Sequence, residues 1–371
     1  MSARDRTNAV DAERVRFGIE APNFPWSTIL DLALAGEREG YDSFWMPDHS
    51  VATGTKRWDA LEAWTTLASI SSRTRRLRLA TGVSDTYRSH PATLAQRAAT
   101  LDAISDGRAM LGIGVGEAMN LVPFGIPYDR PVARTEEALE IIRRLWTEDN
   151  VDFKGAYYNL SGAFLQPKPS VPVSPDRYRP TVPIFVAASS PRTMQMTARF
   201  GDGWLPANMA IQDYGVNLQK IREMAGRAGR DPGAIEPAHF TYVALAKNRD
   251  EALKGVMTQA KMLLLSRPKI LEELGFKPPS YDYEMTYKLV FPGGAKGWVA
   301  KALEIPDEAV TKSPYVIGGP DDVVEKLEGY VAAGCRHFVL NFQVPARALR
   351  DTAELFAEKV MPHFRGGGPE P

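Results

Sequence analysis

The stretch "GIGVGE", residues 112–117, follows the apolar "AML" of 109–111, and its reading decides the fold. Glycines at alternate positions after an apolar run suggest the phosphate-binding turn of a dinucleotide fold. That fingerprint, G-x-G-x-x-G, follows a strand and would place its third glycine at position 117, where this chain has glutamate. Gly112 and Gly114 instead lie inside the strand, and a carboxylate at the turn would repel a pyrophosphate. Glu136 and Glu137, about twenty residues on, belong to a solvated helix face. The nucleotide reading fails. A glycine within a strand marks close approach of a ligand or another backbone, and Glu117 then stands at the strand's C-terminal mouth, although a turn cap is its plainer role.

Working outward, short runs rich in Val, Ile, Phe and Leu alternate with amphipathic segments. Strands are expected at 15–21, 42–47, 78–83, 109–115, 184–188, 203–207, 239–246 and 337–342. Helices are expected at 27–40, 60–73, 91–105, 131–146, 191–200, near 212–229, 321–334 and 348–361. Pro91 and Pro131 suit first helical turns, and Gly40 is a stop signal. Regular βα alternation implies a parallel sheet clothed by helices, and eight units predict an α/β fold, a (β/α)₈ TIM barrel with insertions. A doubly wound open sheet is the runner-up. The proline-rich segment 151–183 breaks the rhythm with a hairpin-like start and an extended loop. Residues 249–312 hold helical stretches and a glycine-rich interruption. The expected organisation is one barrel domain over 1–371, with insertions near 151–183 and 266–312 and a flexible tail at 366–371.

The 371 residues carry 45 basic and 45 acidic side chains, so nothing favours nucleic acid or an anionic membrane as partner. No run approaches the roughly 18–20 apolar residues of a membrane span. Cys335, a single cysteine, cannot form an internal disulfide and suits a reducing, cytoplasmic setting. A small-molecule substrate is expected.

In such barrels chemistry gathers where strands end. "WMPDHS" places Asp48 and His49 directly after the second strand, a proton-exchanging group with a carboxylate beside it; a surface loop is the plain alternative. After the third strand, Gly82 suggests backbone pressed against a ligand, with Ser84 and Thr86 as local hydrogen bonders. After the fifth, "AASSPR" leaves the amides of Ser189 and Ser190 free for an anion, unless the turn is an ordinary helix cap. His90 precedes a helix-opening proline, His239 and His337 open strands at the stability end, and His363 is in the tail. No spacing resembles a zinc site, a Ser-His-Asp set or a P-loop, so no metal is expected.

With these residues laid out, the chain resembles the bacterial-luciferase-like superfamily, and within it the coenzyme F420-dependent branch. The matching stretches are 42–49, 81–120, 131–146, 184–205 and 360–364, in order along most of the chain. The resemblance implies a luciferase-like barrel, often a homodimer, with the deazaflavin ring in its mouth. It assigns His49 and Glu117 as the acid–base pair, and Asp48 and Asn120 as polar contacts to the ring. Thr81, Gly82 and Val83 become the bulge backing the ring, often with a non-proline cis peptide, and Ala187, Ala188, Ser189 and Ser190 the phosphate-binding turn. The implied activity is hydride exchange between the deazaflavin C5 and an alcohol or ketone carbon. Thr53 replaces the tryptophan of the sugar-phosphate dehydrogenases in that branch, and Ala210 and Pro314 stand where they bind phosphate with lysine and arginine. Glucose 6-phosphate is therefore not the expected substrate, and the match leans toward ketoreductase-like members. Met209, Ile211, Phe291 and the aromatic stretch 281–291 are candidates for an apolar pocket, or else core. An FMN-dependent monooxygenase and a non-catalytic cofactor-binding barrel remain as rivals.

Overall fold

The computed structural model describes residues 14–21, 23–51, 59–169, 171–174, 177–179, 181–280 and 294–366. Eight strands form the barrel: β1 Arg16–Glu20, β2 Ser43–Met46, β3 Arg78–Thr81, β4 Ala109–Ile113, β5 Ile184–Val186, β6 Gly203–Trp204, β7 Glu236–Leu245 and β8 His337–Phe342. Each pairs in parallel with its neighbour, and the ring closes where Phe17 meets Phe338 across β1 and β8 and where β7 joins both β6 and β8. The eight strands expected from the sequence are these eight, and the open-sheet alternative is excluded by closure.

The strands are mostly apolar because both faces are covered. Trp45, Ala80, Met110, Phe185, Leu205, Ala238 and Val339 fill the interior, packed as one cluster. The outward side chains, such as Phe17, Phe44, Leu79, Leu111 and Phe338, belong to a larger core shared with the surrounding helices. These include α1 Trp26–Arg38, α2 Ala63–Ser71, α3 Pro91–Ile104, α4 Pro131–Thr147, α5 Pro191–Phe200 and α6 Ile211–Arg227. α2 starts three residues later than expected because the Glu62 carboxylate caps it, accepting from the amides of Trp64 and Thr65 at 3.2 and 2.7 Å.

Two stretches depart from expectation. Within 151–183, the hairpin of Val151–Lys154 with Asn159–Ala163 is present, but Val171–Ser174 pairs with Arg177–Arg179 where an extended loop was expected. After β7 come α7 Arg249–Leu265, α8 Pro268–Glu273, α9 Gly294–Ala302, α10 Asp307–Lys312 and a three-residue strand, Val316–Gly318, that extends the upper end of β7. Three residues are too few to show a period. This insertion has its own apolar core, including Val256, Leu264, Leu271, Trp298 and Tyr315. No helix among the described residues is long and apolar enough to cross a membrane. Thr53, the stretch 281–291 with Phe291, and residues 367–371 lie outside the described residues.

The floor of the barrel holds a chain of polar groups drawn from three strands. Glu236 Oε1 lies 2.7 Å from His337 Nδ1, His337 Nε2 lies 2.8 Å from Ser43 Oγ, and the Trp45 indole N–H donates to the same oxygen at 2.8 Å. The order mimics a nucleophilic triad, which no sequence spacing signalled, but Ser43 and His337 are fully buried and no substrate reaches them. Its role is to orient Trp45. Arg78 and Arg16 approach the Glu236 carboxylate at 3.4 and 4.0 Å. Burial alone would raise the pKa of Glu236; Arg78, the His337 hydrogen bond and Arg16 outweigh it and hold the carboxyl well below the usual range.

A carboxyl depressed in the folded state contributes stability above its unfolded pKa, near 4.5, and that contribution is lost as the pH falls further. Glu236→Gln should therefore lower stability at pH 7 by roughly 3 kcal/mol and flatten the loss of stability below pH 4.5, read as urea midpoints against pH. Equal midpoints for both proteins would contradict this account.

Candidate active site

The C-terminal ends of the strands surround a cavity of about 650 Å³, within the range of small-molecule sites. Its wall over β3 and β4 is nearly bare of side chains, being made by Gly82, Val83, Gly114, Gly116 and Ala187. The Gly82–Val83 peptide is cis, as the bulge expectation had it. Gly112 within β4 and Gly114 just after it exist because that bulge leans on them. A methyl group at Gly114 would sit 2.7 Å from Val83 Cγ2, and one at Gly112 would overlap the Thr81 carbonyl oxygen. Gly116 turns the chain with φ +80°, a conformation few other residues adopt.

That contact brings the mouth residues together. Ser84 ladders onto β4 through its amide to the Gly112 carbonyl at 2.9 Å, and its hydroxyl donates to Asp48 Oδ2 at 2.5 Å. Arg88 clasps Asp48 from the other side at 3.2 Å and reaches Asp85 at 2.6 Å. Burial disfavours the Arg88 charge, but Asp48 and Asp85 more than compensate and raise its pKa. With Asp48 fixed, His49 enters the cavity and its Nε2 lies 3.3 Å from Glu117 Oε2. His49 is 25% exposed and Glu117 55%, so both can meet a ligand while the cavity is open. Asn120, on a turn of 3-10 helix at Ala118–Asn120, is the hinge between them. Its carbonyl oxygen accepts from the Ser50 amide at 2.8 Å, and its NH₂ donates to Glu117 Oε2 at 3.4 Å.

The remaining candidates are placed less uniformly. Thr81 is buried below the cavity and donates its hydroxyl to the Gly112 carbonyl at 2.8 Å. Ala187 lines the cavity, whereas Ala188 is buried with its carbonyl accepting from the Trp204 indole at 2.9 Å. Ser189 and Ser190 open α5 on the surface. Their amides, expected to be free, both donate to Thr193 Oγ1, at 3.2 and 3.0 Å, in a capping box. Met209 and Ile211 pack against the barrel's outer core and do not line the cavity. Thr86 has no partner for its buried hydroxyl among the described residues. His239 is held neutral, its pKa pushed down to about 3 by burial against the raising effect of the Met209 amide.

Against this geometry, residues 8–337 match the family described as luciferase-like monooxygenase. The chain belongs to that family. Among its relatives, the phthiodiolone/phenolphthiodiolone dimycocerosates ketoreductase of Mycobacterium tuberculosis (strain ATCC 25618 / H37Rv) is 34% identical over 355 residues, 88% of this chain and 89% of that one. The F420-dependent glucose-6-phosphate dehydrogenase of Nocardia farcinica is 30% identical over 358 residues, 94% and 97% of the two chains. A solved structure of an F420-dependent secondary alcohol dehydrogenase with an F420-acetone adduct superposes with a TM-score of 0.75 at 25% identity, covering 94% and 98%.

Within this luciferase-like mouth, two ionisable residues escaped the sequence reading. Glu20, the last residue of β1, lines the cavity yet is almost fully buried, and its carboxylate accepts from the Asn341 amide. A carboxylate near the C-terminal end of the run 15–21 was its signal. Burial pushes Glu20 up to about 8, the Asn341 hydrogen bond only partly opposing this. Arg267, just after α7, also lines the cavity; nothing in the spacing of a surface insertion pointed to it.

Because Glu20 binds its proton more tightly when folded, its contribution to stability is complete below pH 4.5 and is lost as the pH climbs through 8, at up to about 1.4 kcal/mol per unit. Glu20→Gln keeps the shape and removes the charge, so its stability should vary less from pH 5 to 9 than the wild type's, measured as guanidinium midpoints. Parallel curves would mean Glu20 is ionised in the fold.

Proposed function

We propose that this protein is a coenzyme F420-dependent oxidoreductase that exchanges a hydride with an alcohol or ketone carbon. The observation that carries this reading is the His49–Glu117 pair, 3.3 Å apart, beside a wall of Gly82, Val83, Gly114, Gly116 and Ala187 that admits a flat ring. Relatives named as F420-dependent enzymes, and a ketoreductase, support it.

The residues fit the cofactor. Gly82, Val83 and Thr81 would back the ring, Asp48 and Asn120 would meet its polar edge, and Ala187, Ala188, Ser189 and Ser190 would face its phosphate. At that turn Thr193 Oγ1 already offers one oxygen to two amides, the arrangement a phosphate oxygen would take over. When bound, the deazaflavin supplies a two-electron hydride acceptor and donor at C5. His49 Nε2 takes the hydroxyl proton as the alcohol is oxidised and returns it to the oxygen in reduction. Glu117, in reach of that nitrogen, stabilises the protonated imidazole and would serve as acid or charge partner for the ring's polar edge. Loss of such a proton-transfer group typically costs about 10²–10⁴-fold in rate. Ala210 and Pro314 supply no cation for a sugar phosphate, so glucose 6-phosphate is not the substrate proposed. One barrel domain, a homodimer and a cytoplasmic setting complete the reading.

The family also houses monooxygenases, and FMN is the rival cofactor. Fluorescence titration of the apoprotein with F420 and, separately, FMN decides between them, with selective F420 binding expected. In the F420-loaded enzyme, His49→Ala should lower kcat about 10²–10⁴-fold with the cofactor Kd unchanged. Selective FMN binding would move the protein to the monooxygenases, and unchanged turnover would remove His49 from the chemistry.

A further inference from the structure

In the eight-strand ring β3 and β7 stand opposite one another, so Tyr242 on β7 faces the Gly82–Val83 wall across the cavity. Beside it Arg267 enters the same cavity, its guanidinium carbon 5.5 Å from the Tyr242 ring centroid. The other arginines near the mouth and floor are committed: Arg88 to Asp48 and Asp85, Arg78 to Glu236. Arg267 is not. Among the described residues it has no carboxylate within ion-pair distance and donates no side-chain hydrogen bond; burial disfavours its charge, while the Tyr242 ring face and, from across the cavity, Glu117 favour it. A guanidinium is always charged and presents five donors in a planar fork suited to a carboxylate. Drawing it out of bulk water with no hydrogen-bond acceptor or counter-charge in contact is costly, and a ligand is what would complete it.

The surroundings narrow the ligand. Phe240, Leu263 and Phe342 line the same cavity, with Gln259 as a neutral polar group. One guanidinium balances one negative charge, and Glu117 in the same cavity disfavours a second. A dianionic phosphate is therefore a poorer match than a carboxylate on an apolar body.

Resting on the function proposed above, we infer that Arg267 binds the substrate's carboxylate, so that the enzyme's substrates are oxo acids or hydroxy acids with an apolar body. The carboxylate lies on the β7 side and the reacting carbon near His49. Arg267 is thus a specificity residue, separate from the proton-transfer pair.

The test uses the full-length protein, with and without F420, and a series of probes: 4-oxopentanoate, 4-oxo-4-phenylbutanoate and 10-oxoundecanoate, each beside its methyl ester, and phenyl phosphate. Affinity is read calorimetrically and by thermal shift, so no turnover is needed. At least one acid should bind about tenfold or more tightly than its ester, the scale of a charged hydrogen-bonded pair. Arg267→Met should erase that preference, Arg267→Lys should keep part of it, and the F420 Kd should not move in either. The assignment is overturned if no acid binds, if acid and ester bind alike, or if phenyl phosphate is preferred. It is also overturned if Arg267→Met weakens acid and ester equally, or weakens F420. Should Arg267→Met fail to fold, the lysine variant and the acid-to-ester ratio of the wild type carry the test. Loss of F420 binding to wild type with the acid preference intact would sink the proposed cofactor but leave the carboxylate site standing. F420 binding without any acid preference would do the reverse.

Discussion

The mouth of this barrel depends on one steric constraint: β4 must pass close to the turn that follows β3. Gly112 and Gly114 permit it, because side chains there would run into Thr81 and Val83. The close pass lets Ser84 join the edge of β4, with its amide on the Gly112 carbonyl and its carbonyl taking the Gly114 amide, each at 2.9 Å. From that position Ser84 reaches Asp48, Asp48 holds Arg88, and the loop carrying His49 is set against Glu117. A side chain at either glycine would therefore be felt several residues away, at groups it never touches.

Two charge environments coexist at opposite ends of the strands. At the floor, Glu236 is surrounded by cations and a histidine, and its neighbours are all strand residues with no freedom to leave. At the mouth, His49 and Glu117 pair on loops and remain open to the cavity. The first arrangement holds shape; the second leaves capacity for a ligand. Trp45 spans the two. Its indole is fixed by Ser43 from below, and its ring lies about 3.6 Å from where a side chain at Gly82 would begin.

Much of this was legible in the chain. All eight barrel strands could be read because strands buried on both faces are short apolar runs whatever the loops contain, and "GIGVGE" showed its purpose by failing the nucleotide pattern. His49 and Glu117 were legible as strand-end residues and Asn120 through the family resemblance, and Glu117 lies within hydrogen-bonding reach of both others. What stayed hidden depends on distance in sequence. Glu236, His337 and Ser43 come from three strands, and no local spacing connects them. Thr193 was unremarkable until its hydroxyl was seen on the Ser189 and Ser190 amides. Arg267 follows a surface helix, and only the folded insertion brings it into the cavity beside Tyr242.

The insertion after β7 brings its own hydrophobic core, with Trp298, Leu264 and Tyr315 packed apart from the interior cluster around Trp45. The cavity is thus bounded by two hydrophobic clusters, the insertion's being joined to the barrel through Ala244 and Tyr242 of β7. Changes within the insertion can reshape the β7 side without disturbing the backbone that holds β3 and β4 together, since well-separated substitutions combine nearly additively. Such a chain can drift toward new substrates by rebuilding one wall while the other stays under unchanged constraint.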